Sequence, residues 1–252
     1  MKNLVSRIVL TIKRRETPLA DFIYRLAKGL RSFSLPTVKP LHLPLYYLDR
    51  GLHEGLQWLL HTFWWSPLFR ARCEVAGKNL RVPNGIPHVV GSHLLIMLGD
   101  NVTIQRSTIG ASRVFDEPVL RIGNASTVGY GTVISVAKEI VIGDNCLIGP
   151  NCIIMDSDDH PISPGKRLAG EGVKPEDVLP VRIGNNVWIG SNCAILKGVT
   201  IGDNSIIATH SVITKDVLEN CIYAGYPARP TVRDIDKLDV VKEYGGEHGI
   251  PT

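Results

Sequence analysis

No two of the five cysteines (Cys73, Cys146, Cys152, Cys193 and Cys221) stand in a CxxC pair, and an odd count cannot be fully paired. That argues against a disulfide scaffold, a zinc ribbon or a dithiol redox centre, and it suits a reducing compartment. No stretch reaches about 18 apolar residues, so no transmembrane helix is expected. The first residues, MKNLVSRIVLTIKRRE, carry a short apolar run closed by basic residues, without a signal-peptide cleavage pattern. Net charge is +4 and the pI about 8.8, too mild a surplus to argue for nucleic acid. These absences lead to the expectation of a cytoplasmic protein. For 252 residues, one domain plus an extension is the natural organisation.

What the chain does have is a six-residue beat. Ile183, Ile189, Ile195, Ile201, Ile207 and Ile213 fall six apart, and Ile142, Ile148 and Ile154 keep the same spacing earlier. Ile-Gly followed by Asp/Asn-Asn or Asn-Ala recurs at Ile122, Ile142, Ile183 and Ile201, and Leu98-Gly-Asp-Asn reads as an outlying copy. Neither an α-helix nor a simple strand has this period. Hexapeptide repetition marks an all-β parallel β-helix whose coils stack into a prism. The fifth position of each hexapeptide is small: Cys146, Cys152, Val187, Cys193, Val199, Ser205 and Ser211. The cysteines there read as core packing. Gly and Asn at the corners suit residues that need positive φ.

One interruption stands out. Ile183 to Ile201 is 18 residues, one coil of three hexapeptides, whereas Ile142 to Ile183 is 41. The excess bulges out as HPISPGKRLAGEGVKPEDVLP, residues 160–180, a loop rich in Pro and Gly. A loop this long in a compact repeat is usually functional or disordered. At its mouth sits Asp156-Ser157-Asp158-Asp159-His160-Pro161. Counting on from Ile154, the small core position falls on Asp158, a charge where the pattern wants none. His160 is therefore the candidate catalytic base. A solvated acidic turn with an incidental histidine is the plain alternative.

The expected domains are a helical N-terminal extension over residues 1–70, a β-helix over 71–230 with the loop 160–180, and a C-terminal tail over 231–252. Leu52, Leu56, Leu59, Leu60 and Phe63 follow helical spacing, so Gly51 through Trp65 reads as an amphipathic helix ended by Pro67. Leu4, Ile8 and Ile12 suggest another. Such helices would cap the open end of the β-helix, touch a membrane surface, or both. In the second case the protein would be peripheral on the inner face of the plasma membrane. Coils should begin near Cys73, with a small bulge at Arg113 to Pro118. The tail from Thr231 is expected to be a short helix and then disorder.

The runs IGDNCLIGPNCIIMDSDDHP and IGNNVWIGSNCAILKGVTIGDNSIIATHSVITKDV, then AGYPAR, closely resemble the left-handed β-helix acyltransferases. Within them the chain is similar to the galactoside, maltose and nodulation-factor O-acetyltransferases and the exopolysaccharide acetyltransferases. The match runs from Ile122 to Arg229. It implies a left-handed β-helix, a homotrimer, and acetyl-CoA lying between neighbouring prisms, with no metal required. The implied reaction is direct transfer of acetyl to a saccharide or glycolipid hydroxyl, with His160 as general base. Residue by residue, Trp188 matches the family's VWIG tryptophan, and Ser191 the serine whose N–H can face the thioester oxyanion. Thr214 and Lys215 match the TKD motif near the nucleotide end of CoA, and Arg229 the PAR motif that suits CoA phosphate. Thr209 falls in the run that approaches pantetheine.

The sequence departs from the family in places. Ala208-Thr209-His210 stands where Gly-Ala-Gly is usual. Gly129-Tyr130-Gly131 stands where an acceptor-orienting Asn is common. The loop glutamate is Glu171 or Glu176. The acceptor-site candidates are Asp156, Asp158, Asp159, Glu171 and Tyr130. Competing functions are an N-acetyltransferase of an amino sugar or xenobiotic, a γ-carbonic-anhydrase-like metal enzyme, and a non-catalytic scaffold. Zinc would need histidines on stacked corners, but His88 and His93 precede the strong repeats and His160 stands alone in its coil.

Overall fold

The isoleucine beat folds into a parallel β-solenoid with three faces. The computed structural model describes residues 2–237, and the chain divides into two compact units, one up to His53 and one from Glu54. In the second unit, short strands form sheets of six, seven and six members. Ile142, Ile183 and Ile201 are register partners on the first sheet. Ile148, Ile189 and Ile207 align on the second, and Ile154, Ile195 and Ile213 on the third. All nine are buried at 3% exposure or less. Each contributes roughly 1.5–3 kcal/mol of apolar burial, so the core is a column built layer by layer.

The corners follow equally physical rules. In the Ile-Gly-Asp/Asn motif the Asx side chain caps the coil before it. The Asp100 carboxylate accepts the Lys78 N–H (2.6 Å), Asn124 Oδ1 the Asp100 N–H (2.8 Å) and Asp144 the Asn124 N–H (2.6 Å). Asn185 and Asp203 continue the ladder at 2.9 and 2.7 Å. The small residues are more than small. Cys146 Sγ donates to the Gly184 carbonyl, Cys152 to that of Gly190 and Cys193 to that of Ala208, at 3.0–3.1 Å. Ser126 and Ser205 do the same with hydroxyls at 2.7 Å. Positive φ falls on Asn101, Asn145, Asn151, Asn186, Asn192, Asn204 and Asn220 as the corner chemistry requires. His210 takes the same conformation (φ 59°), which gives His210 a backbone role at a corner.

Helices Lys2–Arg14 and Pro18–Ser32 make up most of the first unit. The second was not expected; Thr17 caps it, its hydroxyl accepting the Ala20 N–H at 3.1 Å. The expected helix at Gly51 is longer, Lys39–Leu60. Nor does Pro67 end it. A π-helical turn, His61–Trp65, follows, and the Ser66 N–H reaches the His61 carbonyl five residues back. A last helix, Ser66–Arg72, then carries Pro67 in its first turn, where a missing N–H costs nothing. Its Phe69 is fully buried in the solenoid core, so this helix closes the N-terminal end of the prism. At the other end, Ile222–Gly225 and Ala228–Val232 form an antiparallel pair. The expected tail lies mostly outside the described residues, which end in a 3-10 turn at Ile235–Lys237. Among the described residues no helix is long and apolar enough to cross a membrane.

Candidate active site

Strand Ile153–Met155 lies in the third sheet and strand Val181–Ile183 in the first, so the inserted loop leaves at the corner between them. Residue Asp156 opens the loop and shuts it. Its carbonyl accepts the Leu179 N–H at 2.9 Å. Its carboxylate accepts three backbone N–H groups, from Ala137 (2.6 Å), Lys138 (2.7 Å) and Glu139 (2.8 Å), at the corner of the coil below. Burial pushes the Asp156 carboxyl up, and the three N–H groups pull against that shift. Asp156 is fully buried, as is Ser157. The expectation of a charge in the core is thus met by Asp156, two residues earlier than counted. Asp158 is not in the core, because the chain turns outward after Ser157. Nor does a carboxylate this enclosed present an oxygen to an acceptor, so Asp156 is a clamp.

Beyond the clamp the chain makes a tight turn. Asp159 has positive φ (59°), its N–H donates to Ser157 Oγ, and the Ser135 hydroxyl donates to its carboxylate at 3.1 Å. The His160 N–H donates to the Asp158 carbonyl at 2.7 Å. These bonds fix the backbone leading into His160, whose ring is exposed. The ring faces a cleft of about 220 Å3 that also takes in Asp158, Glu171, Lys174 and Lys197. Glu171 therefore shares the cleft with His160. Glu176 does not line it; Glu176 is fully exposed and pairs with Lys174, and its carboxyl is held down by its own backbone N–H first and by Lys174.

Lys197 is a residue the motifs did not flag. Its ammonium lies 2.6 Å from Asp158 and donates to the Asp177 carbonyl at 3.1 Å, tying both limbs of the loop to the next coil. A signal was present: Lys197 stands 18 residues before Lys215, one coil apart. Ile195 and Ile213 are register partners, so the Lys197 and Lys215 corners stack above the loop base. Thr214 and Lys215 are exposed there, and Asp216 behind them accepts the Thr200 N–H at 2.8 Å.

The remaining candidates occupy a different corner. Trp188 is half-exposed on the seven-stranded sheet, beside Leu147 and Ile206. Ser191 and Thr209 follow at the turn from that sheet into the third, where Thr209 Oγ1 donates to the Ser191 carbonyl at 3.2 Å. Tyr130 lies at the same corner two coils below, exposed. Packing there is close: a Cβ on Gly149 would lie 2.7 Å from the Ser191 nitrogen. Arg229 is exposed on strand Ala228–Val232, opposite Ala224 on the same sheet. One side of the prism, about six residues or roughly 20 Å of extended chain, separates this corner from His160. A single chain brings together His160, Asp158 and Glu171, with Thr214 and Lys215 on the same edge. It holds Trp188, Ser191, Thr209, Arg229 and Tyr130 apart from them.

Four cysteines are buried and Cys73 is partly buried, all as free thiols. Burial pushes the Cys73 thiol up to about 11 and raises Cys146 as well. His93 Nε2 lies 2.8 Å from the Ser112 carbonyl. Among the described residues no three His, Cys, Asp or Glu side chains group closely enough to hold a metal ion.

Comparison with known proteins agrees with this architecture. Residues 180–215 match the bacterial transferase hexapeptide (six repeats), and residues 139–163 the hexapeptide repeat of succinyl-transferase. The chain is 43% identical over 93 residues to a galactoside O-acetyltransferase of Escherichia coli, a match covering 36% of this chain and 44% of that one. It is 45% identical over 80 residues to a putative acetyltransferase of Saccharomyces cerevisiae, covering 32% and 38%. The chain thus spans less than half the length of these curated relatives. Among solved structures, AntD, an N-acyltransferase from Bacillus cereus, shares the fold with a TM-score of 0.53 at 18% identity, covering 71% of this chain and 93% of that one.

Proposed function

We propose, from the hexapeptide repeats this chain shares with bacterial transferases, that it is an O-acetyltransferase moving acetyl from acetyl-CoA to a saccharide hydroxyl. Exopolysaccharide or glycolipid assembly is the process that fits. The observation that carries the reading is His160, held on a clamped loop in a cleft with Glu171, at the one long break in the regular coils. The galactoside O-acetyltransferase supports oxygen and sugar over other acceptors.

In this mechanism the His160 ring takes the proton from the acceptor hydroxyl as that oxygen attacks the thioester carbonyl. The new C–O bond forms, the C–S bond breaks, and the ring returns the proton to the departing sulfur. Imidazole suits both transfers because its ordinary pKa is near neutrality, and such help is typically worth about 10²–10⁴-fold. Glu171 would steady the ring, and the Ser191 N–H would face the oxyanion. Trp188, Thr209, Thr214, Lys215 and Arg229 would hold the coenzyme, while Tyr130, Asp158 and Asp159 would meet the acceptor. The two corners stand a prism side apart, so the reading requires a cyclic homotrimer that sets the Trp188 corner of one copy against the His160 corner of the next.

The test is mass spectrometry of a saccharide panel incubated with acetyl-CoA and protein. Wild type should add one acetyl that alkaline hydroxylamine removes, and His160→Ala should add none. A hydroxylamine-resistant acetyl would make the acceptor an amine. A His160→Ala protein as active as wild type would overturn the assignment of the base.

A further inference from the structure

In the unit that ends at His53, large apolar side chains lie exposed beside many cations. We propose that this unit docks on an anionic phospholipid bilayer, with Lys13, Lys28 and Arg31 receiving a lipid phosphate. Helices Lys2–Arg14 and Pro18–Ser32 pack on each other and leave a cleft of about 280 Å3. Val9, Ile12 and Tyr24 line it on the apolar side, and Lys13, Lys28 and Arg31 supply the charge. Glu16 pairs with Arg14, and Asp21 with Arg15 and Arg25. Among the described residues no ion pair engages the three cleft cations.

Two further features point to lipid. Leu4, Ile8, Phe22, Leu26 and Leu30 are each more than half exposed on these two helices. Soluble surfaces rarely gather that much apolar area. Charge is also lopsided. Residues 1–53 hold ten Lys/Arg against three Asp/Glu, net +7, while the whole chain is +4, so the remainder is net −3. A second copy of a +7 unit would repel the first, whereas an anionic surface attracts it. Apolar side chains and a basic cluster are the two signals a stable but reversible anchor needs. Since no described helix can cross a membrane, the unit would lie in the interface.

The protein should co-sediment with vesicles of phosphatidylcholine containing about a third phosphatidylglycerol, and not with phosphatidylcholine alone. Each cation at such a surface is worth roughly fivefold in partitioning. Reversing all three, K13E/K28E/R31E, removes three attractions and adds three repulsions, so it should weaken binding by well over about a hundredfold, while K13R/K28R/R31K should bind as wild type. Raised salt should release the wild type. Equal binding to both vesicle types, no binding to either, or undiminished binding by the charge-reversed protein would overturn the proposal. So would a change of oligomeric state in that variant without a change in vesicle binding, since the face would then belong to a second copy. The readout is independent of any acyl transfer.

Discussion

Replacing Asp156 by alanine separates two roles for one carboxylate. As a clamp, Asp156 satisfies three backbone N–H groups at 2.6–2.8 Å and is fully buried. Its loss strands the buried Ala137 N–H and leaves those of Lys138 and Glu139 to whatever water can enter. A buried unpaired donor costs roughly 1–3 kcal/mol, more where the partner was charged. The sum is on the order of 3–5 kcal/mol, a large share of a typical domain's 5–15 kcal/mol. Asp156→Asn keeps one acceptor oxygen and should fall between. Chemical denaturation followed by circular dichroism, at fixed protein concentration, reads the loss as a lower midpoint. An Asp156→Ala protein with an unchanged midpoint and a raised acceptor KM would refute the clamp and restore Asp156 to the acceptor site.

Other substitutions test neighbouring parts of the account. Glu171→Gln should lower kcat, by about 10-fold or more if it steadies the general base, whereas Glu176→Gln should leave turnover unchanged; steady-state kinetics of the pair decides which glutamate matters. Gly149→Ala forces a methyl to within 2.7 Å of the Ser191 nitrogen, so thermal melting should show destabilisation of about 1–3 kcal/mol. Cys152→Ser preserves a donor to the Gly190 carbonyl and should melt within about 1 kcal/mol of wild type, while Cys152→Ala loses it and should melt lower. Because burial holds the Cys73 thiol up at about 11, alkylating reagents at neutral pH should leave Cys73 largely unmodified until the protein is unfolded, as mass mapping would show.

Much of this molecule can be read before it is seen, for a physical reason. Each hexapeptide of a coil turns an isoleucine into the core, so Ile183 and Ile201 stack because they recur one coil, 18 residues, apart. Any insertion breaks the count, which is why the loop was legible. The small position was legible as small but not as a donor, since Cys152 and Ser205 look like packing until the carbonyl above them is in view. The count points to Asp158 rather than the buried Asp156, because a count cannot say where a chain turns outward. Pro67 looks like a stop in sequence because a π-helical turn that lets the chain run on has no strong sequence mark. Lys197 carries no motif, because an isolated lysine reads as solvated until its carboxylate partner Asp158 is placed. The two-corner arrangement was invisible in one dimension, since Ser191 and Lys197 are near neighbours in sequence yet stand on different edges.

The claim that two chains build each site is tested most directly by mixing two disabled proteins. One carries His160→Ala, and the other carries Trp188→Ala with Arg229→Ala. Each alone should be inactive in acetyl transfer. In trimers reassembled from equal amounts of both, one interface in four pairs an intact His160 corner with an intact Trp188 corner, so activity should recover to about a quarter of wild type. Recovery to no more than the sum of the two separate proteins would mean that each chain completes its own site, and would contradict the account.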